Sequence, residues 1–339
     1  MTGRLAACPN CTGSVQATDR FCENCGAALT EVCRAALPRR GGTDTEPCRE
    51  CGNATYVDDY CAVCGSRRPK PDREEAELVG AALITDRGHV HARNEDAAAL
   101  AILMGAGGSA PHAIAVAVCD GVSSSAEPQL ASGAAAAAGV EAMVSALSMS
   151  RSLRAVALAG LAAAADAAAA AAAANADSVT APSCTYTAAA IIPNPDGTAE
   201  ISLGNIGDSR TYWLPDPPAS ARQLTVDDSL AQELITAGLA ADSDMVLRGA
   251  HTLTRWLGAD GESAPWPDSS VTELRVTGPG SVLMCSDGLW NYLPDGADLA
   301  QFCTGSTPAD AARALAEHAL QAGGEDNITV AVIPIGVVS

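Results

Sequence analysis

Apolar residues along this chain fall into two kinds of run. Short, mainly apolar runs occur at Ala113–Cys119, Tyr186–Ile192, Ile201–Asn205, Val282–Cys285 and Ile328–Ile335. Their length and their polar or turn-forming borders predict strands buried on both faces. Two Ala-rich segments, Leu130–Leu147 and Leu153–Asn175, are too long for strands and predict helices. A third helix is predicted over Pro308–Ala322, with Thr307 as its N-cap and Gly323 just beyond its last turn. Strands, then a helix pair, then more strands predict a layered α+β sandwich rather than a strict βαβ alternation. Ahead of residue 78 this patterning is lost. Residues 1–66 are rich in cysteine with little apolar periodicity, residues 67–77 are mostly charged with Pro69 and Pro71 and read as a linker, and residues 78–339 carry the large domain.

Composition narrows the picture. Hydrophobic residues make up 48% of the 339 residues but aromatics only 3%, so the core must be built from small aliphatic side chains. Residues 1–75 carry 10 basic and 11 acidic residues, so nearly all of the net charge of −20 lies in the large domain. So acidic a domain repels a nucleic-acid backbone, and the near-neutral N-terminal region lacks the basic surface that phosphate binding needs. No nucleic-acid partner is expected. The run Ala155–Ala174 is apolar, but it contains Asp166 and Gly160, and alanine is a weak partner for lipid. It reads as a soluble helix, and no membrane partner is expected. Met1–Ala7 has no apolar run of the signal-peptide kind, which predicts a cytoplasmic protein.

Eight of the 13 cysteines are paired. Cys8-x-x-Cys11 is followed after ten residues by Cys22-x-x-Cys25, and Cys48-x-x-Cys51 after nine by Cys61-x-x-Cys64. Each copy of this internal repeat ends Cys-x-x-Cys-Gly, and two such knuckles can close a tetrahedral thiolate site around Zn²⁺. A disulfide framework is the weaker reading, because nothing points to secretion. The pattern resembles the double zinc ribbon family over residues 8–65, which implies two structural Zn²⁺ and a role in binding a partner protein. Cys33 fits neither set and reads as a free thiol. Cys119, Cys184, Cys285 and Cys303 lie in apolar or structured runs and read as small buried hydrophobes.

In the large domain, acids recur at the ends of apolar runs: Asn94-Glu95-Asp96, Asp120-Gly121, Asp287-Gly288 and Asp326-Asn327. One acid–Gly pair is an ordinary turn. Four sets at strand ends can meet on one rim, and all-oxygen clusters favour Mg²⁺ or Mn²⁺. Thr85-Asp86-Arg87-Gly88 through Asn94-Glu95-Asp96, Val118-Cys119-Asp120-Gly121-Val122, Gly204-Asn205-Ile206-Gly207-Asp208-Ser209-Arg210, Leu224-Thr225-Val226-Asp227-Asp228-Ser229, Met284-Cys285-Ser286-Asp287-Gly288-Leu289-Trp290 and Gly324-Glu325-Asp326-Asn327-Ile328-Thr329-Val330 resemble, in order, the motifs of the type 2C (PPM) protein phosphatases. That resemblance covers residues 78–335. It implies an αββα four-layer sandwich of two antiparallel sheets flanked by helices. It also implies a binuclear Mg²⁺/Mn²⁺ centre: Asp120 bridging both metals, Asp287 and Asp326 completing one site, Glu95 and the Gly121 carbonyl serving the other, and Asp96 acting from behind. The implied activity is hydrolysis of phosphoserine and phosphothreonine in proteins, targets of a Ser/Thr kinase, by a metal-activated water.

The chain departs from the family in two places. The phosphate-holding arginine of the first motif is replaced by His91, with Arg93 two residues on. No histidine follows Asp120, where relatives often carry a general acid. Asp177 is the candidate ligand for a third metal. Asp208 is not expected to be a ligand, Arg210 is expected to be structural, and Ala237–His251 would be a flap beside the site. The alternative function is a pseudophosphatase or phosphoprotein-binding regulatory module recruited through its ribbons.

Overall fold

The computed structural model describes residues 6–7, 11–15, 21–26, 31–38, 48, 50–57, 60–66, 73–105, 110–175, 180–218, 220–261 and 266–336. Two six-stranded antiparallel sheets form the centre. In spatial order the first holds Val271–Thr277, Thr198–Ile206, Tyr186–Pro193, Pro111–Cys119, Ala97–Met104 and Glu31–Leu37. The second holds Arg222–Gln223, Arg210–Pro215, Gly280–Cys285, Ile328–Ile335, Ala81–Asp86 and Arg73–Leu78. The described helices are α1 (Pro128–Ser148), α2 (Leu153–Ala171), α3 (Leu230–Thr236), α4 (Asp244–Arg248), α5 (Asp287–Trp290), α6 (Gly296–Cys303) and α7 (Pro308–Ala322). Helices α1 and α2 cover the first sheet, and α6 and α7 the second, giving the αββα layering.

Strand alternation explains the mainly apolar runs. In Ala97–Met104, Ala97, Ala99, Ala101 and Leu103 face α1 and α2, while Ala98, Leu100, Ile102 and Met104 face the other sheet. The neighbouring strand repeats this, with Ala113, Ala115 and Ala117 towards the helices and Ile114, Val116 and Val118 between the sheets. Bulk sits where two sheets must be held apart, and alanine where helices press close. At Gly139 of α1 an added methyl carbon would lie 2.5 Å from the Tyr186 hydroxyl. Glycine there lets the helix settle onto a fully buried tyrosine. By length and composition α1 and α2 could each cross a membrane, yet here they pack on each other and on the sheet.

Two sequence expectations are corrected at the sheet edges. Residues 73–77, read as linker, belong to the edge strand Arg73–Leu78, paired in register from Arg73↔Asp86 to Leu78↔Ala81. The hairpin turns on Val79-Gly80, both at positive φ (48° and 80°), as a type I′ turn demands. Residues 31–37, assigned to the ribbon region, form the outer strand of the first sheet, from Glu31↔Met104 to Leu37↔Ala98. Arg34 of this strand makes a two-pronged ion pair with Glu141 of α1, at 2.6 and 3.1 Å. Leu37 is 1% exposed, inside the inter-sheet core.

The segment between the two cysteine repeats is therefore part of the sandwich. Leu37→Ala should lower the stability of the large domain by about 2–5 kcal/mol, as for other buried leucines. All four tryptophans lie between residues 213 and 290, so urea unfolding followed by their fluorescence reads that domain directly. An unchanged midpoint would show that the strand is dispensable.

Candidate active site

Both sheets end on the same rim. Asp86 pairs with Ile328 in one sheet and Ala97 with Cys119 in the other, so Asp96, Asp120, Asp287 and Asp326 all stand one or two residues beyond a strand end. Close backbone approach needs glycine at two of these turns. A methyl at Gly121 would fall 2.7 Å from the Glu95 carbonyl, and one at Gly288 only 2.0 Å from the Asn327 carbonyl. The acid–glycine pairs thus join segments far apart in sequence. Between them opens a cleft of about 820 Å³, lined by Asp120, Gly121, Ser123, Asp208, His251, Asp287 and Asp326 among others.

A polar network fixes each acid. Ser286 donates to Asp96 Oδ2 at 2.7 Å and accepts from the Thr329 amide at 3.0 Å. Ser123 and Arg93 donate to the two oxygens of Glu95, at 3.1 and 3.2 Å. Asn327 accepts from the Glu95 amide at 2.7 Å and donates to the carbonyls of Arg87 and Arg93. The Asp120 amide donates to Thr185 Oγ1 at 2.9 Å, and that hydroxyl meets Ser209 Oγ at 2.7 Å.

The charges are far from balanced by protein alone. Burial, opposed by the Ser286 hydrogen bond and reinforced by Asp326 and Asp287, raises the pKa of Asp96 well above the usual carboxylate range. Burial and then Asp96, Asp287 and Asp326 do the same to Asp120. Asp208 is pushed up to about 8 by burial and by Asp287, and Asp326 is raised chiefly by burial and Asp287. Asp96 Oδ1 and Asp287 Oδ1 are buried with no hydrogen-bond partner among the described residues. Orphaned, mutually repelling carboxylate oxygens beside an open cleft fit hard divalent cations.

The structure places the remaining site residues unevenly. His91 does not line the cleft. Its Nε2 lies 3.2 Å from Asp326 Oδ1 and its Nδ1 3.9 Å from Glu95 Oε2, so the ring sits between two acids. Arg93 is half exposed and turned to Glu95. Asp177 lies outside the described residues. Arg210 pairs with Asp227 at 2.6 Å and stacks 3.7 Å above the Trp290 ring. Asp208, set aside in the sequence reading, lines the cleft, and its carbonyl accepts from the Trp290 indole at 2.9 Å. His251 was noted only as the end of a flap. It lies on the cleft wall with Nδ1 3.7 Å from Asp287 Oδ2, its ring parallel to Trp290 at 6.0 Å. That carboxylate raises the His251 pKa. Nothing in the local sequence marks His251, because a fold contact 36 residues away defines it.

The cysteine repeats also converge. The sulfurs of Cys48, Cys51, Cys61 and Cys64 lie within 4.8 Å of one another, as do those of Cys11, Cys22 and Cys25. Cys8 lies outside the described residues. Sulfur–sulfur distances of 3.4 Å for Cys48–Cys64 and 3.5 Å for Cys51–Cys61 are far beyond a disulfide bond. They approach the roughly 3.8 Å that 2.3 Å bonds impose on a tetrahedral ZnS₄ site. The backbone amides of Cys64 and Val63 bring the Cys61 pKa down to about 6, while that of Cys51, lowered by the Asn53 amide but raised by Cys61 and burial, moves up to about 12.

Residues 87–322 match the family model described as Protein phosphatase 2C. The serine/threonine phosphatase stp of Listeria innocua is 33% identical over 137 residues, 40% of this chain and 52% of that protein. The serine/threonine protein phosphatase PstP of Mycobacterium tuberculosis is 30% identical over 135 residues, 40% of this chain and 25% of that protein. The matches span about half the length of the Listeria relatives. Among solved structures, the catalytic domain of PstP in complex with two manganese ions aligns with a TM-score of 0.53 and 25% identity, covering 78% of this chain and 98% of that one. The phosphatase MsPP of Mycobacterium smegmatis, in complex with cacodylate, aligns with a TM-score of 0.51 and 27% identity, covering 76% and 99%.

The acid cluster makes stability depend on pH. A folded-state pKa raised above the unfolded value stabilises fully below about 3.9 and loses that contribution as pH rises through the folded value. In EDTA the protein should therefore lose stability as pH climbs towards and past 8, the value to which Asp208 is pushed. Millimolar Mn²⁺ should flatten that decline. Thermal melts at pH 5, 7 and 9, with and without Mn²⁺, measure both effects.

Proposed function

The chain belongs to the protein phosphatase 2C family, and on that premise we propose that it is a metal-dependent hydrolase of phosphoserine and phosphothreonine in proteins. The observation that carries this reading is the meeting of Asp120, Asp287 and Asp326 at one open cleft, with a buried oxygen of Asp287 left unpartnered. Asp287 and Asp326 would hold one Mg²⁺ or Mn²⁺, Glu95 and the Gly121 carbonyl a second, with Asp120 shared. Bound there, the cations would acidify an attacking water and neutralise phosphate oxygens.

The protein's own residues orient and shield. Ser286 turns Asp96 into the cluster from behind, and Ser123 and Arg93 fix the Glu95 carboxylate. His91 stands where relatives hold phosphate with arginine. Here it braces Asp326 and Glu95, so its contribution is to set the aim of those carboxylates. His251 is the basic side chain on the cleft wall among the described residues. Its Nδ1 lies 3.7 Å from Asp287 Oδ2, which places the ring to donate to a phosphate or leaving-group oxygen. The substrates would be proteins phosphorylated by a Ser/Thr kinase. The two thiolate clusters would each hold one structural Zn²⁺, with Cys8 completing the first, and present a surface to a partner protein.

Two measurements test these assignments. Asp287→Asn should lower kcat towards a phosphothreonine peptide with Mn²⁺ on the order of a hundredfold or more, with native circular dichroism, because a neutral amide cannot replace the ligand charge. Activity retained in that variant removes Asp287 from the ligand set, and no hydrolysis by the native protein refutes the phosphatase reading. Elemental analysis should find about two Zn²⁺ per chain and about one in Cys61→Ser. Zinc near zero in folded native protein overturns the ribbons.

A further inference from the structure

A second cavity of about 360 Å³ adjoins the catalytic cleft. Val122, Ser124, His251 and Leu253 line both, so the two share a wall. The outer one is completed by Ser125, Thr180, Ser183, Trp256 and Asp260 among others. A peptide whose phosphorylated residue enters the cleft must lead its neighbouring side chains past that wall.

The outer cavity is built rather than incidental. Trp256 immediately precedes Leu257, which has no exposed surface. Leu257–Gly258 pairs antiparallel with Ser183–Cys184, which anchors this wall to the segment after Asp120, since the Val122 amide donates to the Ser183 carbonyl at 2.9 Å. The chain then turns back through Gly261, whose amide donates to the Gly258 carbonyl at 3.2 Å. A methyl at Gly261 would stand 2.4 Å from the Trp256 carbonyl, so this turn accepts only glycine. The turn returns Asp260 to Trp256, and the indole N–H donates to Asp260 Oδ1 at 3.3 Å. An aromatic face and a carboxylate are thereby held side by side. His251, on the wall shared with the cleft, is the basic side chain of this cavity among the described residues, and no Lys or Arg lines it.

We propose that this cavity is a substrate subsite in which Trp256 and Asp260 receive a cationic side chain, Arg above all, flanking the phosphorylated residue. The proposal rests on the phosphatase reading and names its substrate class: phosphoproteins modified within basic sequence. Guanidinium stacks on indole while pairing with carboxylate, a combination that ammonium meets less well. Glutamate at the same position meets Asp260 with like charge.

The test uses the full chain with Mn²⁺ and a phosphothreonine peptide with alanine flanks. Arg or Glu is placed singly at each of the three positions on either side. At one position kcat/KM for Arg should exceed that for Glu by about three- to tenfold, the scale of a partly exposed charge pair with a cation–π contact. Asp260→Asn and Trp256→Leu should bring that ratio towards one, and Asp260→Lys should invert it. Taking the ratio within each variant cancels any general loss of activity. Ratios near one at every position in the native protein, or a ratio indifferent to Asp260→Asn and Trp256→Leu, would overturn the subsite. If p-nitrophenyl phosphate and every peptide remain intact, the phosphatase reading has failed. Fluorescence anisotropy with the same peptides then decides the subsite by the same ratios of affinity.

Discussion

Like charges forced together out of water set the terms for this molecule. Asp96, Asp120, Asp208 and Asp326 are each driven towards the neutral form by burial and by neighbouring carboxylates, Asp287 acting on all four. Such a group cannot be held by flexible segments, because repulsion would push it into solvent. Here every member lies within two residues of a strand end, Ser286 braces the Asp96 carboxylate, and Thr185 holds the Asp120 amide. That arrangement suits cations: keeping the acids together costs stability, which bound divalent ions would relieve.

The sandwich meets this demand with an unusual division of side-chain size. Bulky aliphatics fill the space between the sheets, while alanines on the outer face of the first sheet let two alanine-rich helices lie close. Packing of that kind depends on contact at short range, so single methyl groups matter, as Gly139 against Tyr186 shows. The strand Glu31–Leu37 extends the same sheet, and with Leu37 in the core it ties the region between the cysteine repeats to the framework that carries the acids. Any partner seated on the cysteine repeats would act on a chain already woven into that sheet.

The rim of the cleft has a different character. Helix α3 has no buried residue, and α4 buries only Val246. Their base is nonetheless fixed, because Asp228 accepts from the Gly207 amide at 3.0 Å and from Arg255 at 3.1 Å. Nearby, Trp290 is stacked under Arg210 and Trp256 stands beside Asp260.

What the sequence determined by itself was local. Mainly apolar runs marked Ile328–Ile335 and the inner strands because burial on both faces admits few polar side chains, Thr329 among them, and Thr307 and Gly323 bounded α7 through capping chemistry. The acids after strand ends could be named, since a turn and a ligand both favour Asp-Gly. Edge strands escaped notice: Arg73–Leu78 is mostly charged because one side meets solvent, and its Val79-Gly80 turn lacks the usual Asn-Gly or Asp-Gly signal. Only tertiary structure decided which groups face one another. His91, placed by its motif at a phosphate, turns to Asp326 and Glu95, while His251 and Asp208 enter the cleft through contacts that span the chain. Side-chain direction at a loop is set by whatever charge the fold brings opposite it, and no linear spacing records that charge.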